Sequence, residues 1–132
     1  MGRTFEAIPE EAEGAARAVV NAAFKVHKTL GPGLLESVYE VCLCHELKRR
    51  GVSFRQQMLF PVVYGDVKLD AGLRLDLLVE ECVIVELKAV QTMIPLFDAQ
   101  LLAYLKLTGL RLGLLIKFNV PVIRDGIKRM VL

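Results

Sequence analysis

Leu73-Arg74-Leu75-Asp76-Leu77-Leu78-Val79-Glu80 and Cys82-Val83-Ile84-Val85-Glu86-Leu87-Lys88 are two strand-like runs separated by one residue, Glu81. Val83, Ile84 and Val85 are β-branched and suit a pleated sheet, which makes the second run the most secure strand of the chain. Charges inside runs this apolar are costly to bury unless they are paired or hold a metal. Asp76, followed ten residues later by Glu86-x-Lys88, is the set that metal-assisted phosphodiester cleavage needs. Two carboxylates can hold a hard divalent cation, which activates a water and screens the phosphate. A lysine can orient the nucleophile or offset the charge developing on phosphorus.

Whether the two acids meet depends on register. Alternation puts Ile84, Glu86 and Lys88 on one face of their strand, and Arg74, Asp76 and Leu78 on one face of theirs. A two-residue turn at Glu80-Glu81 would pair Asp76 with Val85 and send the carboxylates to opposite faces. A three-residue loop or a bulge would pair Asp76 with Glu86 and Arg74 with Lys88. The plain alternative is an ordinary buried ion pair, Asp76 with Arg74 or Glu86 with Lys88.

Around this hairpin, Pro9 to Leu30 reads as a helix. Its first turn is acidic (Glu10, Glu11, Glu13), and Ala12, Ala16, Val19, Val20, Ala23, Val26 and Leu30 form an apolar stripe. Gly31-Pro32-Gly33 ends it, and a second helix runs from Leu34 to Arg50. Ser53 to Tyr64 is a strand, Gly65-Asp66 a turn, and Val67 to Val79 a long strand with a bulge near Gly72. Pro95 opens a third helix, Leu96 to Thr108. Leu112 to Phe118 is a buried strand, and Val120 to Val131 holds a short edge strand with a turn at Asp125-Gly126. The order α-α-β-β-β-α-β-β predicts an α/β sandwich with a central mixed sheet flanked by helices.

Three more polar residues sit where a core would not want them. Glu36 falls on the stripe Glu36, Tyr39, Leu43, Leu47, so it should face inward or lie at the boundary. Gln100 and Tyr104 share a face of the third helix amid leucines, where they can support a phosphate or brace the lysine. Other signals carry less. Cys42, Cys44 and His45 lack the spacing of a zinc site, His27 reads as a helix-face residue, and no Lys-Ser/Thr follows the glycines near Gly31. The cluster Lys48, Arg49, Arg50 and Arg55 reads as a solvated helix end or a phosphate contact.

At 132 residues the chain fits a single domain, 1–132, with residues 1–8 a flexible N-terminus. The net charge of +2 excludes a passive, strongly basic nucleic-acid coat. No apolar run approaches the ~18 residues of a membrane span, and no signal-peptide pattern opens the chain, so a cytoplasmic protein with reduced cysteines is expected. The apolar fraction of 54% is high for so short a chain and predicts a subunit interface, most simply a homodimer.

Gly33-Leu34-Leu35-Glu36-Ser37-Val38-Tyr39 resembles the Gly-x-x-Glu-x-x-Tyr signature of the bacterial GxxExxY proteins, a family within the PD-(D/E)XK nuclease superfamily. Arg74-Leu75-Asp76 and Glu86-Leu87-Lys88-Ala89 look like its second and third motifs, and Gln100 with Tyr104 resembles the Gln-x-x-x-Tyr motif of the RecB-type branch. Lys117 departs from the family, which more often has Asn there. The resemblance implies a restriction-endonuclease-like sandwich and a Mg²⁺- or Mn²⁺-dependent nuclease acting on nucleic acid, with DNA the favoured substrate. It implies Asp76, Glu86 and Glu36 as metal ligands, Lys88 at the nucleophile, and Gln100 and Tyr104 in support. The rival readings are a non-cleaving nucleic-acid-binding or regulatory module and an oligomeric structural subunit that keeps the fold.

Overall fold

The computed structural model describes residues 6–90 and 94–132. Three helices, α1 (Glu10–Leu30), α2 (Glu36–Arg49) and α3 (Pro95–Thr108), accompany strands β1 (Phe54–Tyr64), β2 (Val67–Val79), β3 (Val83–Lys88), β4 (Leu112–Lys117) and β5 (Ile127–Val131). The sheet order is β1-β2-β3-β4-β5. Only β3 and β4 are parallel, because α3 carries the chain across between them, and the other neighbours are antiparallel.

The helices cover both faces of the sheet. On one side Val19, Ala22, Ala23 and Val26 of α1 and Tyr39, Leu43 and Leu47 of α2 pack on Leu77, Val79, Val83, Val85 and Leu87. On the other, Leu101 and Leu105 of α3 pack on Leu75, Leu78, Ile84 and Leu115. Each of the valine, leucine and isoleucine side chains contributes roughly 1.5–3 kcal/mol by leaving water. β3 and β4 lie between both layers and are buried along nearly their whole length, which is why they read as continuous apolar runs.

The expected bulge in β2 is present. Phe60 pairs with Leu73 but Val62 pairs with Leu69, so the register shifts opposite 70–72. Residues 1–5 of the expected flexible N-terminus lie outside the described residues; Arg111 holds the Glu6 and Ala7 carbonyls, and Ile8 packs on the core.

Within Val120 to Val131, where a short edge strand and a turn at Asp125-Gly126 are expected, the structure narrows both elements. Ile123–Gly126 is a 3₁₀ turn, and only Ile127–Val131 is strand. The reason is packing at Gly126, where a Cβ would lie 2.1 Å from the Lys117 carbonyl oxygen and 2.9 Å from Val120 Cγ2. Val120 is also tied down: its carbonyl accepts a 2.7 Å hydrogen bond from Nε2 of His27, which is buried and thus a partnered core histidine. Gly126→Ala is expected to cost about 2–4 kcal/mol through this overpacking, read as a shift of the urea midpoint without a change of slope.

Candidate active site

The β2–β3 turn sets the register. Glu80 and Glu81 both take left-handed backbone, φ 51° and 57°, and the Cys82 amide donates to the Val79 carbonyl at 3.0 Å. Cys82 is then one residue more than a two-residue hairpin needs, and Val79 pairs with Val83, Leu78 with Ile84 and Leu77 with Val85. Side chains hold the turn from outside. The Glu80 carboxylate accepts from the Ser53 amide at 2.9 Å and from its hydroxyl at 3.1 Å, and Arg55 forks onto Glu81. This is the register that sets Asp76 against Glu86.

Beyond Leu77 the backbone ladder between β2 and β3 stops, and carboxylates take over its hydrogen bonds. The Asp76 amide donates to Glu86 Oε2 at 2.8 Å, and the Leu87 amide donates to Asp76 Oδ2 at 2.9 Å. Alternation also breaks here. Leu75 and Leu78 both join the α3-side core, whereas Leu77 and Val79 join the other. Asp76 therefore sits at a local rotation of β2, in a split between two strands.

The split is electrostatically uncomfortable. Glu86 is 3% exposed, and burial first, then the Asp76 charge, pushes its carboxyl up to about 8; the Asp76 amide and Lys88 oppose this. Burial likewise raises Asp76, and the Leu87 amide and Lys88 pull it back. Glu36 is exposed rather than inward-facing, because it opens α2 while the rest of its stripe, Tyr39, Leu43 and Leu47, is fully buried. Its carboxyl is raised by the surrounding protein and by the Asp76 charge, so it belongs to the same electrostatic group at the site's mouth.

The Gly-x-x-Glu-x-x-Tyr stretch has a structural logic. The Tyr39 hydroxyl donates to the Gly31 carbonyl at 2.6 Å and accepts from the Leu34 amide at 3.1 Å, and its ring stacks on Phe118 at 4.6 Å. Gly33, at φ 103°, supplies a backbone conformation that other residues rarely adopt. The loop is thus closed on the helix that presents Glu36.

From the α3 side come Lys88, Tyr104 and Gln100. Lys88 is half-buried, with Nζ 4.9 Å from the Phe97 ring centroid, and forms no ion pair among the described residues. Its charge lowers Glu86, Asp76 and Glu36 without binding any of them, so the simple Glu86–Lys88 pair is not formed. The Tyr104 hydroxyl is raised by burial and then by the Glu86 and Asp76 charges, so it lies within reach of their field. Gln100 is half-buried one turn earlier on α3. The basic cluster is committed elsewhere, Arg49 and Arg50 to the buried Glu46 and Arg55 to Glu81. Cys44 is buried, with its thiol pushed up to about 12, while His45 is exposed.

Two residues escaped the sequence reading. Glu40, one turn after Glu36, accepts from Gln57 Nε2 at 2.9 and 3.2 Å and from Gln56 Nε2 at 3.0 Å. Gln57 stands across from Asp76 in the β1–β2 register, and its side chain lowers the Asp76 carboxyl. The i, i+4 spacing of Glu36 and Glu40 was visible in the sequence; the position of Gln57 across from Asp76 follows only from the β1–β2 register.

Among the described residues no three His, Cys, Asp or Glu side chains form a ready-made metal cage. The donor set still fits a hard cation. Mg²⁺ is commonly held by one or two carboxylates and completes its shell with water. Glu86 is buried and Asp76 half-buried, both carboxyls are raised by burial and Glu86 further by the Asp76 charge, and a positive charge between them would relieve both.

An α/β sandwich that splits its sheet around an Asp, a Glu and a Lys is built as a phosphodiesterase of the restriction-endonuclease-like class. A family model of the PD-(D/E)XK nuclease superfamily matches residues 13–130, and the chain belongs to that superfamily. Membership carries with it divalent-metal chemistry and nucleic acid as the substrate class. No curated protein and no solved structure matches the chain. Among the described residues no helix is long and apolar enough to cross a membrane.

Proposed function

We propose that the chain, acting as one nuclease-like domain, is a Mg²⁺- or Mn²⁺-dependent nuclease that cleaves DNA. The observation that carries the reading is the exchange of backbone ladder bonds for carboxylate bonds at Asp76 and Glu86, with an unpaired lysine alongside. Asp76 and Glu86 would hold the ion, with Glu36 as a further ligand or as the base that orients water. When bound, the ion supplies an activated water and charge for the phosphate. Lys88 presents its ammonium to the attacking water or to a non-bridging phosphate oxygen, steered by the Phe97 ring. Tyr104 donates its hydroxyl to phosphate or accepts from the Lys88 ammonium, and the Gln100 amide hydrogen-bonds phosphate. The Tyr39-closed loop supports placement in the GxxExxY family, and the Gln100/Tyr104 pair on α3 supports the RecB-type branch.

The test is calorimetric Mn²⁺ titration of wild type and Glu86→Ala, followed by cleavage assays on supercoiled plasmid, linear duplex, single strands and RNA. Mn²⁺ uptake and DNA cleavage lost together in Glu86→Ala are expected. Wild type that binds Mn²⁺ but cuts nothing would turn the reading toward the non-cleaving module.

We also propose a homodimer in a cytoplasmic setting. The β1–β2 hairpin carries Tyr64 (83% exposed), Val63 (63%) and Leu69 (53%) into solvent, apolar surface that suits association. Sedimentation at micromolar concentration is expected to give twice the 14.7 kDa chain mass; a monomer would refute this.

A further inference from the structure

The Glu40 carboxylate is not available to a cation. Its Oε1 accepts from Gln57 Nε2, and its Oε2 accepts from both Gln56 and Gln57. Gln57 is therefore held from the α2 side, although it belongs to β1. Its backbone is held too, at φ 49°, left-handed and rarely adopted by a residue with a side chain. The distortion is local. Gln56 pairs with Leu77 and Met58 with Leu75, but the intervening positions, Gln57 and Asp76, drop out of the ladder. The same position on β2 is where side-chain alternation breaks and Asp76 turns toward Glu86. Strained backbone that the surroundings over-determine gathers at functional sites.

We propose that Glu40 and Gln57 form a positioning brace, Glu40 carboxylate to Gln57 amide to Asp76 carboxylate, that fixes the orientation in which Asp76 meets a divalent cation. Neither residue touches the reacting atoms. Glu40 orients Asp76 through Gln57, while its charge also raises Asp76 and Glu36 directly, so Glu40→Gln and Glu40→Ala, which both remove that charge, are compared with each other. The brace ties α2, which also presents Glu36, to the strand that presents Asp76, so both acids are set by one helix. The proposal rests on the metal-dependent reading of the site.

Because the route is serial, the two residues are coupled. Partners that orient a metal ligand are typically worth 10- to 100-fold in affinity. In calorimetric titrations with Mn²⁺ alone, Gln57→Ala and Glu40→Ala are each expected to weaken binding about 10-fold, and the double variant also about 10-fold rather than 100-fold. Glu40→Gln keeps a carbonyl acceptor for Gln57 and is expected to retain most of the wild-type affinity. Gln57→Gly relaxes the left-handed backbone, so its melting temperature should hold or rise while Mn²⁺ affinity falls, a split that a merely structural residue would not show. Additive losses, a Glu40→Gln as damaging as Glu40→Ala, or an unchanged Gln57→Ala would overturn the brace. If wild type takes up no Mn²⁺, the metal reading falls and the brace is decided separately by NMR. The Gln57 side-chain amide protons should be slow to exchange in wild type and fast in Glu40→Ala, and no difference between the two would overturn it.

Discussion

Replacing Lys88 by alanine is expected to lower metal-dependent cleavage by about 10²–10³-fold, the scale of removing one preorganised donor at a developing negative charge. Mn²⁺ affinity should stay near wild type, since losing Lys88 removes a repulsion on the cation but also lets all three acids hold their protons more tightly. Stability separates this from a structural role. A buried Glu86–Lys88 ion pair would lose about 3–5 kcal/mol on truncation. The observed contact is a half-exposed ammonium against the Phe97 ring, 4.9 Å from its centroid, and such contacts are worth only about 0.5–1 kcal/mol. Urea unfolding of Lys88→Ala beside single-turnover cleavage reads both quantities. A loss above about 3 kcal/mol with cleavage intact would assign the lysine to the fold.

The strands and helices were legible because their signals are local. The β-branched run Val83-Ile84-Val85 and the alanine- and valine-rich stripe of α1 state their own periods, and both elements stand where the sequence puts them. The register of the β2–β3 hairpin was not legible. It depends on two consecutive glutamates taking left-handed backbone, which is unfavourable for Glu and is held by Ser53 and Arg55 from twenty-six or twenty-seven residues away. The pairing of Asp76 with Glu86 could therefore be posed as one of two registers but not chosen. The stripe left open whether Glu36 faces inward or lies at the boundary, because a stripe says which side a residue faces and not whether the sheet reaches that far; the structure puts it at the exposed mouth. Gln57 was invisible for a different reason. Its role arises from a cross-strand position and a backbone angle that a glutamine does not advertise. The turn at Asp125-Gly126 and a short edge strand were legible at the C-terminus, but the exact start of the strand was not, because close approach at Gly126 is a tertiary fact.

Glu86 makes the metal-free protein less stable as pH rises, and a divalent cation should reverse this. Its carboxyl stands near 8 in the fold against an ordinary 4.5, raised by burial and then by Asp76. Between those values the folded state binds more protons than the unfolded chain, so unfolding free energy falls with increasing pH. The favourable contribution is complete below about 4.5 and lost by about 8. At about 1.4 kcal/mol per unit the whole window has a ceiling of roughly 5 kcal/mol, and the part between pH 6 and 8 about 2 kcal/mol. Asp76 and Glu36 are raised as well and add the same sign, the three titrating as a group. A cation that needs the ionised acid must displace that proton, so Mn²⁺ affinity should climb by up to about tenfold per pH unit below the raised value and level off above it. Urea midpoints of wild type from pH 6 to 8 should fall without metal and flatten with saturating Mn²⁺. Glu86→Gln, permanently neutral, should show a shallower pH slope, exceed wild type in stability at pH 8, and lose the response to Mn²⁺. A wild-type midpoint that is flat across this range without metal would show that Glu86 is ionised in the fold, and that Lys88 alone supplies the charge its burial requires.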